Sequence, residues 1–551
     1  MTTNVIVLDS DPGIQRDGTK YDSKSYIDGQ WVRFYRNRPL KIGGYQIIDP
    51  GTGTIIRTVY NYNNPMRPNS CDTYLGRANS VVYENFTFNG LGSGEIDRTP
   101  VEYDAYIASL SPDDALNILW DFDVFTDGGT HSYIVAHVAP NANDSNNTIR
   151  GPIYYGSTDT NTPLIPVLDE DENPVLVSGG IVFLPPILVA YDNDGLIRWC
   201  NTGVISGDGS GWSSSDNGQT IANSKIIKVL VSRGSSTPQL LAWTSNALIS
   251  LIYSSGTTDT PVISFSAVTI DNDITVMSAN SIIGHANEFF WIGLDKFYFF
   301  NGIVRPLQNT MNSQFFFQNI NLAQRAKVWA MLVSPGTGDT EFWWHFPFGT
   351  APECTHCLMY PYEIKRWFDA AISRSAGASA GVFPLPMMAD NVAREIVTRA
   401  GIINVYPLWR HEIGYDQVIS LPPSLSNASA IDSYFETHIY DFFEGNPANN
   451  RVMRTRRIEP DFLMNGEMTV TVNNRFFPSD TLANGNLTQN GPYTFDLNTQ
   501  KIDAVNSQGR LVSFRFESNQ LGGAYQMGKT LLNYNVGDVR PSGSGNSGTG
   551  D

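Results

Sequence analysis

Residues 288 to 302 read Glu288-Phe-Phe-Trp-Ile-Gly-Leu-Asp-Lys-Phe-Tyr-Phe-Phe-Asn-Gly302. Two aromatic runs flank Leu294-Asp295, and the second ends on Asn301-Gly302, the sequence form of a β-hairpin bounded by turn residues. The pattern repeats outward. Leu116 to Phe125 meets a turn at Asp127 to Gly129 and then Tyr133 to Val138, while Lys225 to Ser232 is followed by Leu240 to Ser245 and Leu248 to Tyr253. Hairpins at such short spacing predict small sheets arranged radially, a β-propeller, because each sheet then covers the faces of its neighbours. Six units centre near residues 130, 190, 240, 290, 350 and 395. A seventh would need residues 60 to 105, where Tyr74 to Phe88 gives partial support. The expected architecture is therefore all-β: an N-terminal arm and hairpin over 1–60, a six-bladed propeller over 61–425, a second β domain over 426–540 and a disordered Gly/Ser tail over 541–551.

Composition agrees with a folded chain of more than one domain, since 41% of 551 residues are hydrophobic and only 16% are charged. A content of 12% aromatic residues, with 48 Gly and 31 Pro, favours many short strands joined by turns. The net charge of -18 argues against tight sequence-independent DNA binding, which needs clustered cations. It suits a wall that repels a passing polyanion. The cysteines at 71, 200, 354 and 357 make no disulfide framework and fit a reducing cytoplasm. Met1 to Asp9 lacks the basic start and apolar run of a secretory leader, so none is expected. The most apolar run, Val175 to Tyr191, is broken by Gly179-Gly180 and Pro185-Pro186, so no membrane-spanning helix is expected.

Motifs of catalysis match by spelling and fail by context. Gly523 to Thr530 spells a phosphate loop, but the alternating Leu531 to Gly537 predicts a strand where the chemistry needs a helix. Gly377 to Gly381 spells a nucleophile elbow, but Pro384 and Pro386 follow too soon for its helix. Cys354-Thr-His-Cys357 offers one ligand pair where a closed zinc site needs two. Asp192-Asn-Asp-Gly195 lacks the flanking ligands of a calcium loop and reads as a tight turn. No catalytic residue, metal or cofactor is expected, and the chain reads as a non-enzyme.

Tyr26 to Tyr45 carries a more specific signal. Asp17-Gly18 leads into a Trp31-x-Arg33-Phe34 strand, and the following turn ends at Lys41-Ile-Gly43-Gly44. This block resembles the N-terminal signature of tail nozzle proteins of short-tailed bacteriophages, also described as tail hub or packaged-DNA stabilisation proteins. Asp194 to Trp199, Glu288 to Trp291 with Phe297 to Gly302, Glu341 to Trp344, Trp409 to Glu412, and Tyr525 to Gly528 through Val536-Gly537 are similar to further blocks of that family. The ending departs from it, with Val539-Arg540-Pro541 where the family often closes on Gly-Gly-Arg-Arg. The resemblance implies a homohexameric ring at the distal end of a short tail, made in the bacterial cytoplasm and built into the virion. Its implied partners are the adaptor ring, tail fibres or tailspikes, and double-stranded DNA in transient, non-specific contact as it is retained and ejected. Trp31, Arg33, Arg36 and Lys41 are the implied adaptor-docking or intersubunit residues. The cluster Arg451, Arg454, Arg456 and Arg457 is read as ion pairing within the domain or between subunits, or as channel arginines facing DNA. In a regular strand Arg454 and Arg456 share one face, and Arg451 and Arg457 the other. The alternative function is a tail-associated propeller that binds or depolymerises host glycan.

Overall fold

Successive antiparallel sheets close into a ring in the computed structural model, which describes residues 4–51, 53–111, 115, 117–129, 131–139, 149–233, 239–254, 263–336, 339–398, 401–441, 451–483 and 485–539. The innermost strands of seven blades are Ile56–Tyr62, Leu119–Thr126, Gly180–Leu184, Ile226–Ser232, Ile283–His285, Trp329–Val333 and Ala376–Ala378. In blades 1 to 6 the strands that follow pair outward in chain order. Five blades have four strands, blade 2 has five and blade 7 has six. The fold is an all-β propeller with a second β domain.

The ring exists because every blade is apolar on both faces. The middle strand Glu341–Phe346 of blade 6 is buried at every position. Six cores then fill the gaps around the circle. Trp120 and Phe122 pack blade 2 on Tyr74 and Tyr83 of blade 1, and Val182, Leu188 and Val229 join blades 3 and 4 to blade 2. Trp243 meets Trp291 between blades 4 and 5, Phe290 meets Phe342 between blades 5 and 6, and Trp329 and Met331 share a core with Met388 of blade 7. The circle closes where Met387, Ala389 and Leu408 of blade 7 meet Ile56, Val59 and Leu75 of blade 1.

Closure is made by a strand from the other end of the chain. Tyr45–Asp49 pairs antiparallel with Leu408–His411 and so adds an outer strand to blade 7, and Asp416–Val418 runs parallel to it on the far side. The blade count is accordingly seven, not the six expected. The additional blade spans Ile56–Asp97 and coincides with the segment that gave partial support. Its strand Ser70–Arg77 is buried despite its polarity, because Asp72 accepts hydrogen bonds from Arg67, Tyr83 and Asn85.

The N-terminal residues do not form a separate arm. Asn4–Val7 pairs with Leu531–Val539, Asp28–Gln30 with Tyr434–Glu436, and Arg38–Lys41 with Ala524–Met527. They are therefore edge or inner strands of the second domain, together with Val32–Tyr35, and its remaining strands come from residues 434 to 539. The core of that domain, with Phe34, Phe435, Phe514 and Phe516, is continuous with Trp343, Met359 and Phe368 of blade 6. The expected Gly/Ser tail lies outside the described residues.

Replacing Ile48, which is buried in the closing strand, by alanine should lower unfolding stability by about 2–5 kcal/mol. The same change at exposed Ile252 should stay within about 0.5 kcal/mol, as read from urea midpoints at constant slope.

Candidate interaction site at the domain joint

The Trp31 to Gly44 block lies between the propeller and the second domain and is buried except around its turn, where Arg36 and Asn37 are exposed. Trp31 has a left-handed backbone with φ of 54°, and its indole Nε1 donates to the Ile42 carbonyl at 3.0 Å. Arg33 is the centre of the joint. Its guanidinium makes two parallel bonds to Glu412, at 2.7 and 2.8 Å, and its Nε lies 3.1 Å from Glu341 Oε1. Glu341 is held in turn by the Trp343 indole at 2.8 Å. Although burial opposes its charge, the carboxylates of Glu341 and Glu412 push the Arg33 pKa up. One cation from the second domain thus clamps blade 6 and the segment leaving blade 7.

Lys41 is 2% exposed, and its ammonium donates to the carbonyls of Gly523 at 2.8 Å and Ser518 at 3.3 Å. Burial pulls its pKa down to about 8 against the carboxylates of Asp416 and Asp432. Gly43 and Gly44 are required by close approach: a Cβ at Gly44 would strike the Asp416 carbonyl oxygen, and one at Gly43 would sit 2.8 Å from Glu412 Cα. Tyr45 packs edge-on to Trp409 and stacks on His411, both at 5.0 Å between ring centres. Ser433 Oγ joins the Trp31 carbonyl at 3.0 Å to the Tyr525 hydroxyl at 2.8 Å.

Trp31, Arg33 and Lys41, implied as adaptor-docking or intersubunit residues, are buried and spend their polar groups inside the chain. Arg36 alone of that set is exposed, at a turn with φ of 50°, its guanidinium 5.2 Å from the Tyr35 ring centre. The arginine strand also departs from simple alternation. Opposite Leu531–Val539, Arg456 is an extra residue in Arg451–Glu459, so Arg454 and Arg457 are half-buried while Arg451 and Arg456 are exposed. Arg457 is ion-paired to Asp503 at 2.6 Å. Among the described residues, Arg451, Arg454 and Arg456 have no carboxylate partner in a salt bridge.

A second concave region lies at one mouth of the propeller axis, a cavity of about 390 Å³ whose wall includes Asp121, Tyr191, Lys225, Lys228, Asn280 and Arg325. Asp121 and Asp123 lie two residues apart on the inner strand of blade 2 and accept from the amides of Ile181 at 3.2 Å and Phe183 at 2.7 Å on blade 3. Their spacing matches the strand repeat, so side chains satisfy amides that have no neighbouring strand. Lys228 of blade 4 closes the row on Asp121 at 2.7 Å. Burial pushes the Asp123 carboxyl up to about 6, against the amides of Phe183 and Val124. Nothing in the local sequence marks these residues beyond Asp-x-Asp in a strand.

The catalytic and metal spellings resolve as structure. Thr530 is buried and followed by the strand Leu531–Val539, and Ser379 Oγ accepts from the Leu332 amide at 2.9 Å. The four cysteines are buried free thiols, and among the described residues no cluster of His, Cys, Asp or Glu can hold a metal. No described helix is long and apolar enough to cross a membrane.

No protein-family model matches the chain, and no curated protein matches it. Among solved structures it is similar to the WD40 β-propeller domain of Doa1, at 10% identity over 66% of this chain and 97% of that one with a TM-score of 0.33. It is also similar to the computationally designed Ika8 protein, at 10% identity over 67% and 99% with a TM-score of 0.32. The propeller stands on the strand pairing of this chain itself.

Arg33→Ala, which leaves Glu341 and Glu412 buried without their cation, should cost about 3–5 kcal/mol in urea unfolding, whereas Arg36→Ala should change it by less than about 0.5 kcal/mol. Lys41 binds its proton less tightly folded than unfolded, so stability should rise between pH 8 and the ordinary lysine range. Lys41→Met should flatten that rise in a pH series of urea midpoints.

Proposed function

We propose that this chain is a non-enzymatic subunit of the nozzle of a short phage tail, forming a homohexameric ring that retains packaged DNA and conducts it at infection. The observation that supports this reading is a convergence in space. Arg33, Glu341, Glu412 with Trp409, and Tyr525 come from four separate blocks of the resemblance and meet at one joint. That joint makes propeller and second domain one body, as a ring wall needs if it is to pass force between neighbours. Avidity around a ring then makes modest subunit contacts sufficient. Arg36, Arg451 and Arg456 are the cations of the two expected clusters that remain exposed to meet the adaptor, a neighbouring copy or DNA phosphate.

A second reading, a propeller that engages host glycan, draws on the axial cavity, whose wall sets Tyr191 and Asn280 beside Lys228 and Arg325. Hydroxyls and an acidic group of a sugar are suited to that mixture.

Purified chain mixed with its adaptor ring and imaged in negative stain should give six-fold particles with a through-channel. A double Arg451→Glu, Arg456→Glu variant should lose ring yield without a change in melting temperature. Monomers, or trimers without a channel, at every salt concentration would refute the nozzle reading, and cleavage or selective capture on a glycan array would favour the second.

A further inference from the structure

The seam between blades 7 and 1 holds another cavity of about 390 Å³, whose wall includes Asp49, Glu84, Glu95, Leu91 and Leu421. Asp49 ends the closing strand Tyr45–Asp49, Glu84 lies within Val81–Thr87, and Glu95 precedes Ile96–Asp97. Asp49 is 6% exposed and Glu84 4% exposed. Each carboxyl has one oxygen occupied, Asp49 Oδ1 by the Gly51 amide at 3.0 Å and Glu84 Oε1 by the Gly94 amide at 3.0 Å. Asp49 Oδ2 and Glu84 Oε2 are buried and accept no hydrogen bond from an amide, hydroxyl or cation, and Asp49 lies within hydrogen-bonding reach of the Glu95 carboxyl. Of the nearby cations, Arg77 pairs with Glu95 on the same wall and makes no direct ion pair with Asp49 or Glu84, and Arg410 donates to Gln46 Oε1 and the Asn89 carbonyl. A strap of glycines lies over Glu84, and a Cβ at Gly92 would strike Glu84 Oε1. At the rim Leu91 and Leu421 are 46% and 48% exposed.

Two buried carboxyls that no cation pairs with directly among the described residues, in a cavity with an apolar rim, define a ligand by complementarity. We propose that this socket binds an organic cation, an ammonium or guanidinium group on an aliphatic stem, with Asp49 Oδ2 and Glu84 Oε2 as acceptors and Leu91 and Leu421 beside the stem. The inference does not depend on the nozzle reading. A metal ion is the poorer fit, because among the described residues these carboxyls do not gather as a metal-ligand set. Burial first, and then the neighbouring carboxylates, push Asp49 up to about 7 and Glu84 up to about 8. The empty socket therefore holds protons near neutrality, and a bound cation displaces them. Affinity rises with pH through this window, and the empty protein loses stability over the same range, since the unfolded carboxyls hold their protons less tightly.

The test is calorimetry and thermal shift on the intact chain with putrescine, capped arginine (N-acetyl-arginine amide), magnesium and calcium, at pH 6 and pH 8.5. Putrescine or capped arginine should bind with proton release and more tightly at pH 8.5, the first pointing to a free amine and the second to a basic side chain of a partner. Glu84→Gln and Asp49→Asn remove buried charge, so both variants should melt no lower than the parent at pH 8.5, and each should weaken binding about tenfold or more. Absence of organic-cation binding at millimolar concentration, binding unchanged in both variants, or binding of the divalent metals alone would overturn the assignment.

Discussion

The constraint on which everything else rests is that no blade of this propeller has a solvated face. Each blade gives both sides to apolar packing, so a single open gap exposes two hydrophobic surfaces at once. The chain meets this by returning Tyr45–Asp49, a strand that precedes the first blade, to the outer edge of the last. The six cores around the circle are then mutually dependent, and the cluster that joins Leu408 of blade 7 with Ile56 of blade 1 is as necessary as any within a blade.

The same strand links the ring to the second domain. Immediately before it, the Trp31 to Gly44 segment leaves the second domain through a passage with no spare volume, where Gly44 lies against Asp416 and Arg33 spans two glutamates. Removing an arginine and two carboxylates from water is costly, and the cost is offset only by the bidentate geometry and the indole bond on Glu341. Such a triad specifies one arrangement of the two domains, because a displacement of either domain leaves a buried charge unpaired. The polar row of Asp121, Asp123 and Lys228 has a similar role inside the ring, joining blades 2, 3 and 4 through groups the sheets leave unsatisfied.

Much of the propeller was legible because its hairpins are local. Glu288 to Gly302 carries its strands, their alternation and their turns within fifteen positions, and the structure pairs Phe289 to Ile292 with Phe297 to Phe300. The blade at Ile56–Asp97 was harder to read because its buried positions include Asp72 and Thr73, whose polarity is satisfied by groups that sequence alone does not bring together. Strand exchange between the ends of the chain was not legible, since nothing near Asn4 indicates Tyr534. Charge misled for the same reason. An arginine or lysine is exposed by default, and Arg33 and Lys41 are exceptions only because their partners, Glu412 and the Gly523 carbonyl, lie hundreds of residues away. The carboxyl socket had no sequence signature, because Asp49, Glu84 and Glu95 come from two blades.

The return of the first fifty residues has a consequence for synthesis on the ribosome. Asn4–Val7 waits for Leu531–Val539, and Tyr45–Asp49 waits for Leu408–His411, so the first segment cannot reach its final place until nearly all of the chain has emerged, nor the second until about three quarters of it has. Blades 1 to 6 can form in order as they are translated, yet the ring stays open beside blade 1 for most of that time. A nascent chain of this protein therefore carries an apolar cleft and unpaired strand edges until its late strands have been made.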